Sequence, residues 1–235
     1  MNSICFAPAL MSGAMLAIGG LAAQAAEHFA CAGIPVTIRA ESGTPVTVAC
    51  DAAGAAIAFL SRCGIGPKHG LTIQTVDEIL HPCGTRTLGQ FVPSQRRIEI
   101  TSLARCGEEL GPDSPYRRLP LIEVWRSLIA HEVAHGILHD QPDAGRLPVN
   151  AHEYVAYAVQ IGTMSAGSRA TFLDAFPNAE GAELASFTAF AHDVEPLRFG
   201  ARAYRHFTAP DHGCSLLERM IGGEVTFPAP DSTPP

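Results

Sequence analysis

Two histidines and a glutamate stand at a spacing that can bind and use a metal ion. The segment His131-Glu132-Val-Ala-His135 places the histidines four residues apart inside a helical pattern. Residues four apart share one face of a helix, so both imidazoles can reach one Zn²⁺ at about 2.0–2.1 Å. Glu132 is one position away, beside the open coordination site, where it can accept a proton from a metal-bound water. The pattern predicts a catalytic zinc site with one ion per chain.

A catalytic zinc needs a third protein ligand, and three residues are candidates: Glu153, His139 and Asp140. Glu153 is favoured because it starts a second helix, which can approach the ion from another direction. His139 continues the series on the same helix, but three side chains in that series span about 12 Å and cannot easily converge. We interpret His139 as a residue of the site rim or a favourable cation at the helix end. Asp140 lies at the C-terminal end of the same helix.

Glu153 has a competing local role. Asn150 and Glu153 are spaced as a capping box, in which the glutamate reaches back to the cap N–H. The helix that follows is apolar enough to be buried, yet it carries a polar stripe of Glu153, Tyr157 and Gln160. Because a buried polar stripe needs partners, we predict that Glu153 is a metal ligand.

These residues resemble the gluzincin branch of the zincin metallopeptidases, over roughly residues 90–165. The resemblance implies that His131, His135 and Glu153 bind zinc and that Glu132 is the general base of peptide-bond hydrolysis. It also implies a zincin-like fold. The predicted strand at 96–101 is similar to the zincin edge strand, which aligns a peptide substrate through main-chain hydrogen bonds.

The sequence departs from the family pattern in one respect. Many gluzincins have an acidic residue four positions after the ligand glutamate, where it orients a zinc-bound histidine; here that residue is Tyr157, whose hydroxyl could hydrogen-bond instead. Leu138 and Gln141 exclude the metzincin pattern. The resemblance also implies a downstream tyrosine or histidine as the oxyanion donor, for which the candidates are Tyr204, His206 and His212.

Strand-like runs precede helical ones, which predicts an α+β fold. Residues 34–39 and 45–49 are rich in β-branched residues and predict a hairpin, and Asp51 could cap a helix over 52–61. Further strands are expected at 71–76, 88–92 and 96–101, and a loop at 107–118. Helices are expected at 120–139, 150–164, 168–176, 180–191, 196–207 and 214–221. We therefore predict one domain over 26–226, with a mostly antiparallel sheet in 26–118, helices in 119–226, and a disordered tail at 227–235.

The first 25 residues carry no charged side chain and end in Ala23-Gln24-Ala25, which is typical of a signal peptide. A membrane anchor is the alternative, but the apolar run falls short of the roughly 20 residues that span a bilayer. Cleavage removes Cys5 and leaves an even number of cysteines, which predicts three disulfides in a periplasmic or extracellular protein. We expect Cys31 to pair with Cys50. The six remaining cysteines are Cys31, Cys50, Cys63, Cys83, Cys106 and Cys214.

Composition limits the partners. With 16 Lys and Arg against 23 Asp and Glu, the chain has a net charge of −7, which argues against nucleic acid or a membrane as the main partner after signal cleavage. We expect a peptide or protein substrate; no sequence feature indicates an oligomeric state. The alternative function is a non-catalytic secreted module held together by disulfides or by a structural zinc. Such a zinc would need His139 or Asp140 as its fourth ligand.

Overall fold

The computed structural model describes residues 26–41, 43–80, 86–142, 146–179 and 183–228. The predicted signal peptide, Cys83 and residues 229–235 lie outside these ranges. The strands are β1 (Glu27–Ala30), β2 (Val36–Ala40), β3 (Leu71–Val76), β4 (Gly89–Val92) and β5 (Arg97–Thr101). The helices are α1 (Val46–Ser61), α2 (Leu103–Glu109), α3 (Leu121–His139), α4 (Val149–Gly162), α5 (Ala166–Asp174), α6 (Ala189–Val194), α7 (Pro196–Thr208) and α8 (Cys214–Ile221).

The five strands form one mixed sheet in the order β1-β2-β3-β5-β4. Strands β2, β3 and β5 run parallel, whereas β1 and β4 pair antiparallel at the two edges. The α+β class is confirmed, but the prediction of a mostly antiparallel sheet is wrong. The reason is that helix α1 connects β2 to β3, and such a crossover joins parallel strands.

The predicted hairpin at 34–49 is also wrong, because residues 46–49 form the first turn of α1. The β-branched residues in that turn favour a strand locally. A helical period of small and apolar residues overrides this preference, since it places one continuous face against the sheet. The buried residues of that face are Ala49, Ala52, Ala53, Ala56, Phe59 and Leu60. Helix α1 therefore begins before Asp51, which is not its N-cap.

The main core lies between one face of the sheet and helices α1 and α3. Alternate residues of the central strands point into it, among them Ile38, Ile73 and Ile98, all fully buried. The Trp125 indole N–H donates to the Thr101 carbonyl oxygen over 2.7 Å, which ties α3 to the end of β5. Helix α4 packs on α3. The predicted helices at 120–139 and 150–164 are thus confirmed as α3 and α4, and α3 lies between the sheet and α4.

Other segments differ from expectation in detail. The predicted loop at 107–118 contains the end of α2 and a 3-10 turn at Pro115–Arg118, which buries Tyr116. The predicted helix over 180–191 corresponds to a 3-10 turn at Leu184–Ser186 and the start of α6. Phe227, the first residue of the predicted tail, packs against Tyr154, with ring centroids 5.3 Å apart.

Two disulfides are present among the described cysteines. Cys31–Cys50 confirms the predicted pair, and Cys63–Cys214 joins the end of α1 to the start of α8. Cys106 is buried and forms no disulfide with another described cysteine. Disulfides indicate an oxidising, exported environment. Within the described part of the chain, no helix has the length and apolarity needed to cross a membrane.

Candidate metal centre

The three predicted metal ligands converge where α3 packs on α4. The Nε2 atoms of His131 and His135 lie 3.1 Å apart. Glu153 places Oε2 3.3 Å from the first of these nitrogens and Oε1 3.5 Å from the second. Tetrahedral ligands at bond lengths of about 2.0–2.1 Å are separated by about 3.3 Å. Each separation is close to this value, with a different carboxylate oxygen facing each imidazole, and the group could hold a metal ion.

The competing ligands have other partners. His139 lines the cleft and meets the Phe91 ring edge-on at 5.6 Å, which agrees with the predicted place at the rim. The Asp140 carboxylate is bound by the Arg96 guanidinium and by the main-chain N–H groups of residues 68 and 69. Burial opposes its ionisation, but these donors hold the pKa of Asp140 below its usual range.

Among the residues that the structure describes, no fourth protein ligand joins the group. In the described ranges, no His, Cys, Asp or Glu beyond His131, His135 and Glu153 lies within the cluster of donor atoms. Three protein ligands and an open fourth position are typical of catalytic zinc, whereas structural zinc has four.

Glu132 lies beside this group with its side chain against the edge strand β4. The Phe91 main-chain N–H lies near its carboxyl group and favours the charged form. A Cβ built on Gly89 would lie only 2.9 Å from its Oε1, so the side chain packs directly on that glycine. Burial raises the pKa of Glu132 to about 7; His131 opposes the shift and Glu153 adds to it. A carboxyl with this pKa can both accept and return a proton near neutral pH.

The resemblance implies that residue 157 hydrogen-bonds to a ligand histidine. In this structure Gln160, not Tyr157, is hydrogen-bonded to His131. Its Oε1 lies 2.9 Å from His131 Nδ1. Tyr157 instead packs its ring edge-on against the same imidazole, with centroids 4.7 Å apart. The predicted polar stripe on α4 therefore does contact a candidate ligand histidine, but the contact is made by Gln160, about one turn beyond Tyr157.

His192 is a residue of the site that sequence reasoning missed. Its Nε2 lies 3.4 Å from Glu153 Oε2, and its ring packs against Tyr157 and Phe199. It stands on α6, a single short helix with no distinguishing pattern around it. No local signal in the sequence separates this histidine from those at the surface.

The downstream candidates for an oxyanion donor do not line the cleft. His206 Nδ1 is 2.7 Å from the Tyr154 hydroxyl, and His212 stacks on His206. Tyr204 lies beside Arg169. Unlike these three residues, His192 lines the cleft and contacts the Glu153 carboxylate.

The donors line an open cleft of about 710 Å³. The predicted edge strand at 96–101 is β5, which pairs on both sides and lies inside the sheet. The strand that borders the cleft is β4, so the assignment to 96–101 is wrong, because strand order is not encoded in the local pattern. Apolar side chains line the cleft beside the candidate ligands: Leu88, Leu128, Pro196 and Leu197.

Comparison with known proteins shows that residues 36–230 match DUF6639, a family of unknown function. No curated protein and no solved structure matches the chain. The matched segment contains all three candidate ligands and Glu132, and it covers well over half of the chain. The chain therefore belongs to the DUF6639 family.

Proposed function

We propose that this chain is a zinc metallopeptidase that hydrolyses peptide bonds. One observation carries the proposal: two imidazoles and a carboxylate lie close enough together in an open cleft to hold one metal ion, with the buried Glu132 carboxyl beside them. Zinc held there would lower the pKa of a water molecule and polarise the carbonyl group to be attacked.

Glu132 then serves as the general base. It accepts a proton from the attacking water as the bond between oxygen and the carbonyl carbon forms. It returns that proton to the nitrogen of the leaving amine as the carbon–nitrogen bond breaks. His192, whose Nε2 lies near Glu153 from the opposite helix, is our candidate donor to the oxyanion.

The edge strand supports a peptide as the substrate. The Thr101 N–H donates to the Leu88 carbonyl oxygen over 2.9 Å, which fixes the register between β4 and β5. Alternate residues of an antiparallel edge strand turn their main-chain groups away from the partner strand, and here these are Gly89 and Phe91. An extended peptide could pair with this side of β4 across the cleft.

The direct test compares wild type with Glu132→Gln. Zinc per chain is measured by elemental analysis, and cleavage of a mixed-sequence peptide library by mass spectrometry. We expect one zinc in both proteins and a loss of hydrolysis of about 10²–10⁴-fold in the variant, because only the proton transfer is removed. Glu108→Gln, an exposed substitution on α2, is the matched control. Full hydrolysis by Glu132→Gln would overturn the mechanism.

Two other outcomes separate the rival functions. Wild type that binds zinc but cleaves no peptide would support the non-catalytic binding module. Wild type that binds no zinc when freshly purified would support a domain held by disulfides alone. His135→Ala is expected to lose the zinc, whereas His28→Ala, on the exposed strand β1, is expected to retain it.

We also infer that the protein is exported to the periplasm or the medium. The two disulfides favour an oxidising compartment. We expect the expressed protein to be recovered outside the cytoplasm without its first 25 residues, as intact-mass analysis would show. Full-length, reduced protein confined to the cytoplasm would contradict export.

A further inference from the structure

Gln160 is buried at the base of the candidate metal centre, with hydrogen-bond partners on both sides of its amide. Its Oε1 lies 2.9 Å from His131 Nδ1. Its Nε2 lies 2.7 Å from the Tyr116 hydroxyl and 3.3 Å from Ser127 Oγ. All four side chains are buried, so each of these polar groups depends on the others for its hydrogen bonds.

The neighbouring serine fixes which way the amide points. The Ser127 hydroxyl donates its proton to the Val124 carbonyl oxygen over 2.8 Å. Its oxygen is therefore left as an acceptor, and the atom of Gln160 that faces it must be the amide nitrogen. The carbonyl oxygen of Gln160 then faces His131.

This orientation determines the tautomer of His131. An amide oxygen only accepts hydrogen bonds, so Nδ1 of His131 must carry the proton. In the neutral imidazole, the form that binds a metal, Nε2 is then the nitrogen with a free lone pair, and it faces His135 Nε2 at 3.1 Å and Glu153 Oε2 at 3.3 Å. The lone pair is thus directed at the point where the three donors meet.

We propose that Gln160 is a positioning residue that holds His131 in its metal-binding tautomer and ring orientation. The inference rests on the metal centre of the proposed function, and it goes further by assigning a role to a neutral amide. Hydrogen bonds of this kind typically change metal affinity by 10–100-fold when they are removed.

Zinc affinity provides the first test. In competition titrations with a chromogenic chelator, Gln160→Met should bind zinc about 10–100-fold more weakly than wild type, because Nδ1 loses its acceptor. Gln160→Glu keeps an acceptor and should bind at least as tightly as wild type. Gln141→Leu is the matched control, since within the described ranges the Gln141 amide donates to main-chain carbonyls away from the donor cluster, and its loss should leave the affinity unchanged.

The tautomer itself provides a second test, which a purely structural role would not affect. Long-range ¹H–¹⁵N spectra of the zinc-free protein, recorded at a pH high enough for His131 to be neutral, should show it protonated at Nδ1 in wild type and as a mixture of tautomers in Gln160→Met. Wild-type zinc affinity and an unchanged tautomer in Gln160→Met would overturn the proposal. If that variant does not fold, a tenfold loss of affinity in Gln160→Glu would overturn it. Neither readout measures hydrolysis. The role of Gln160 can therefore be refuted while the peptidase activity is upheld, and the peptidase activity can be refuted while the role of Gln160 is upheld.

Discussion

A methyl group added to Gly89 should slow catalysis without removing the metal. A Cβ at this position would lie 2.9 Å from Glu132 Oε1, 3.0 Å from its Cγ and 3.1 Å from Ile100 Cδ1. Ordinary carbon contacts begin near about 3.5 Å, so Glu132 must retreat by about half an ångström or rotate. All three contacts are with side chains, which can shift while the backbone stays in place.

The two consequences of Gly89→Ala differ in size. Crowding of this kind costs about 1–3 kcal/mol, and the lower entropy of the unfolded alanine chain offsets part of it. A misplacement of about 1 Å at a reacting group can reduce the rate by about 10²-fold. We therefore expect kcat to fall by about 10–100-fold, equivalent to about 1.4–2.7 kcal/mol, with a small loss of stability.

The assay measures kcat and KM on a peptide chosen from the library, zinc per chain, and Tm. Gly111→Ala is the control, because a Cβ there meets nothing within 4 Å. We expect Gly89→Ala to retain its zinc and to change kcat far more than KM. If Gly89→Ala kept the wild-type kcat and Tm, the argument that contact with β4 positions Glu132 for catalysis would be refuted.

Three further outcomes follow from the contacts. His192→Gln should keep its zinc but lose about 10²–10³-fold in kcat, measured on the same peptide, if it donates to the oxyanion. Replacing both Cys63 and Cys214 by serine should lower the free energy of unfolding by about 5 kcal/mol in denaturant titrations, because the bridge closes a loop with a sequence separation of 151 residues. Asp140→Asn should cost about 3 kcal/mol, since it leaves the Arg96 guanidinium without its carboxylate. The folded-state pKa of Asp140 is lowered, so its contribution is complete above about pH 4 and is lost as the pH falls below that; the variant should show a flatter acid limb in pH-dependent unfolding.

Local patterns predicted the elements that hold the candidate ligands. The histidine spacing defines one face of α3, and the polar stripe on α4 separates Glu153 and Gln160 from their apolar neighbours. These features depend on helical period alone, and so they could be recognised from the sequence.

Features that depend on long-range packing could not be predicted in this way. The segment 45–49 is rich in β-branched residues, which favour a strand. It is nevertheless the start of helix α1, because the buried apolar face of that helix continues to Leu60. Strand β4 borders the cleft because it pairs beyond β5, an order that no local pattern specifies. His192 reaches Glu153 only because α6 packs next to α4, and nothing in its own segment indicates that contact.

The two sides of the cleft differ in how firmly they are held. On one side, the ion pair between Asp140 and Arg96 fastens the end of α3 to the turn between β4 and β5. On the other side, no residue of α6 is buried, and Phe190 is 68% exposed. Segments with few buried contacts open at low free-energy cost, so amide hydrogen exchange should be much faster in α6 than in α3. A peptide entering the cleft would therefore contact one firmly held side, at α3 and β4, and one side, at α6, that can move to make room for it.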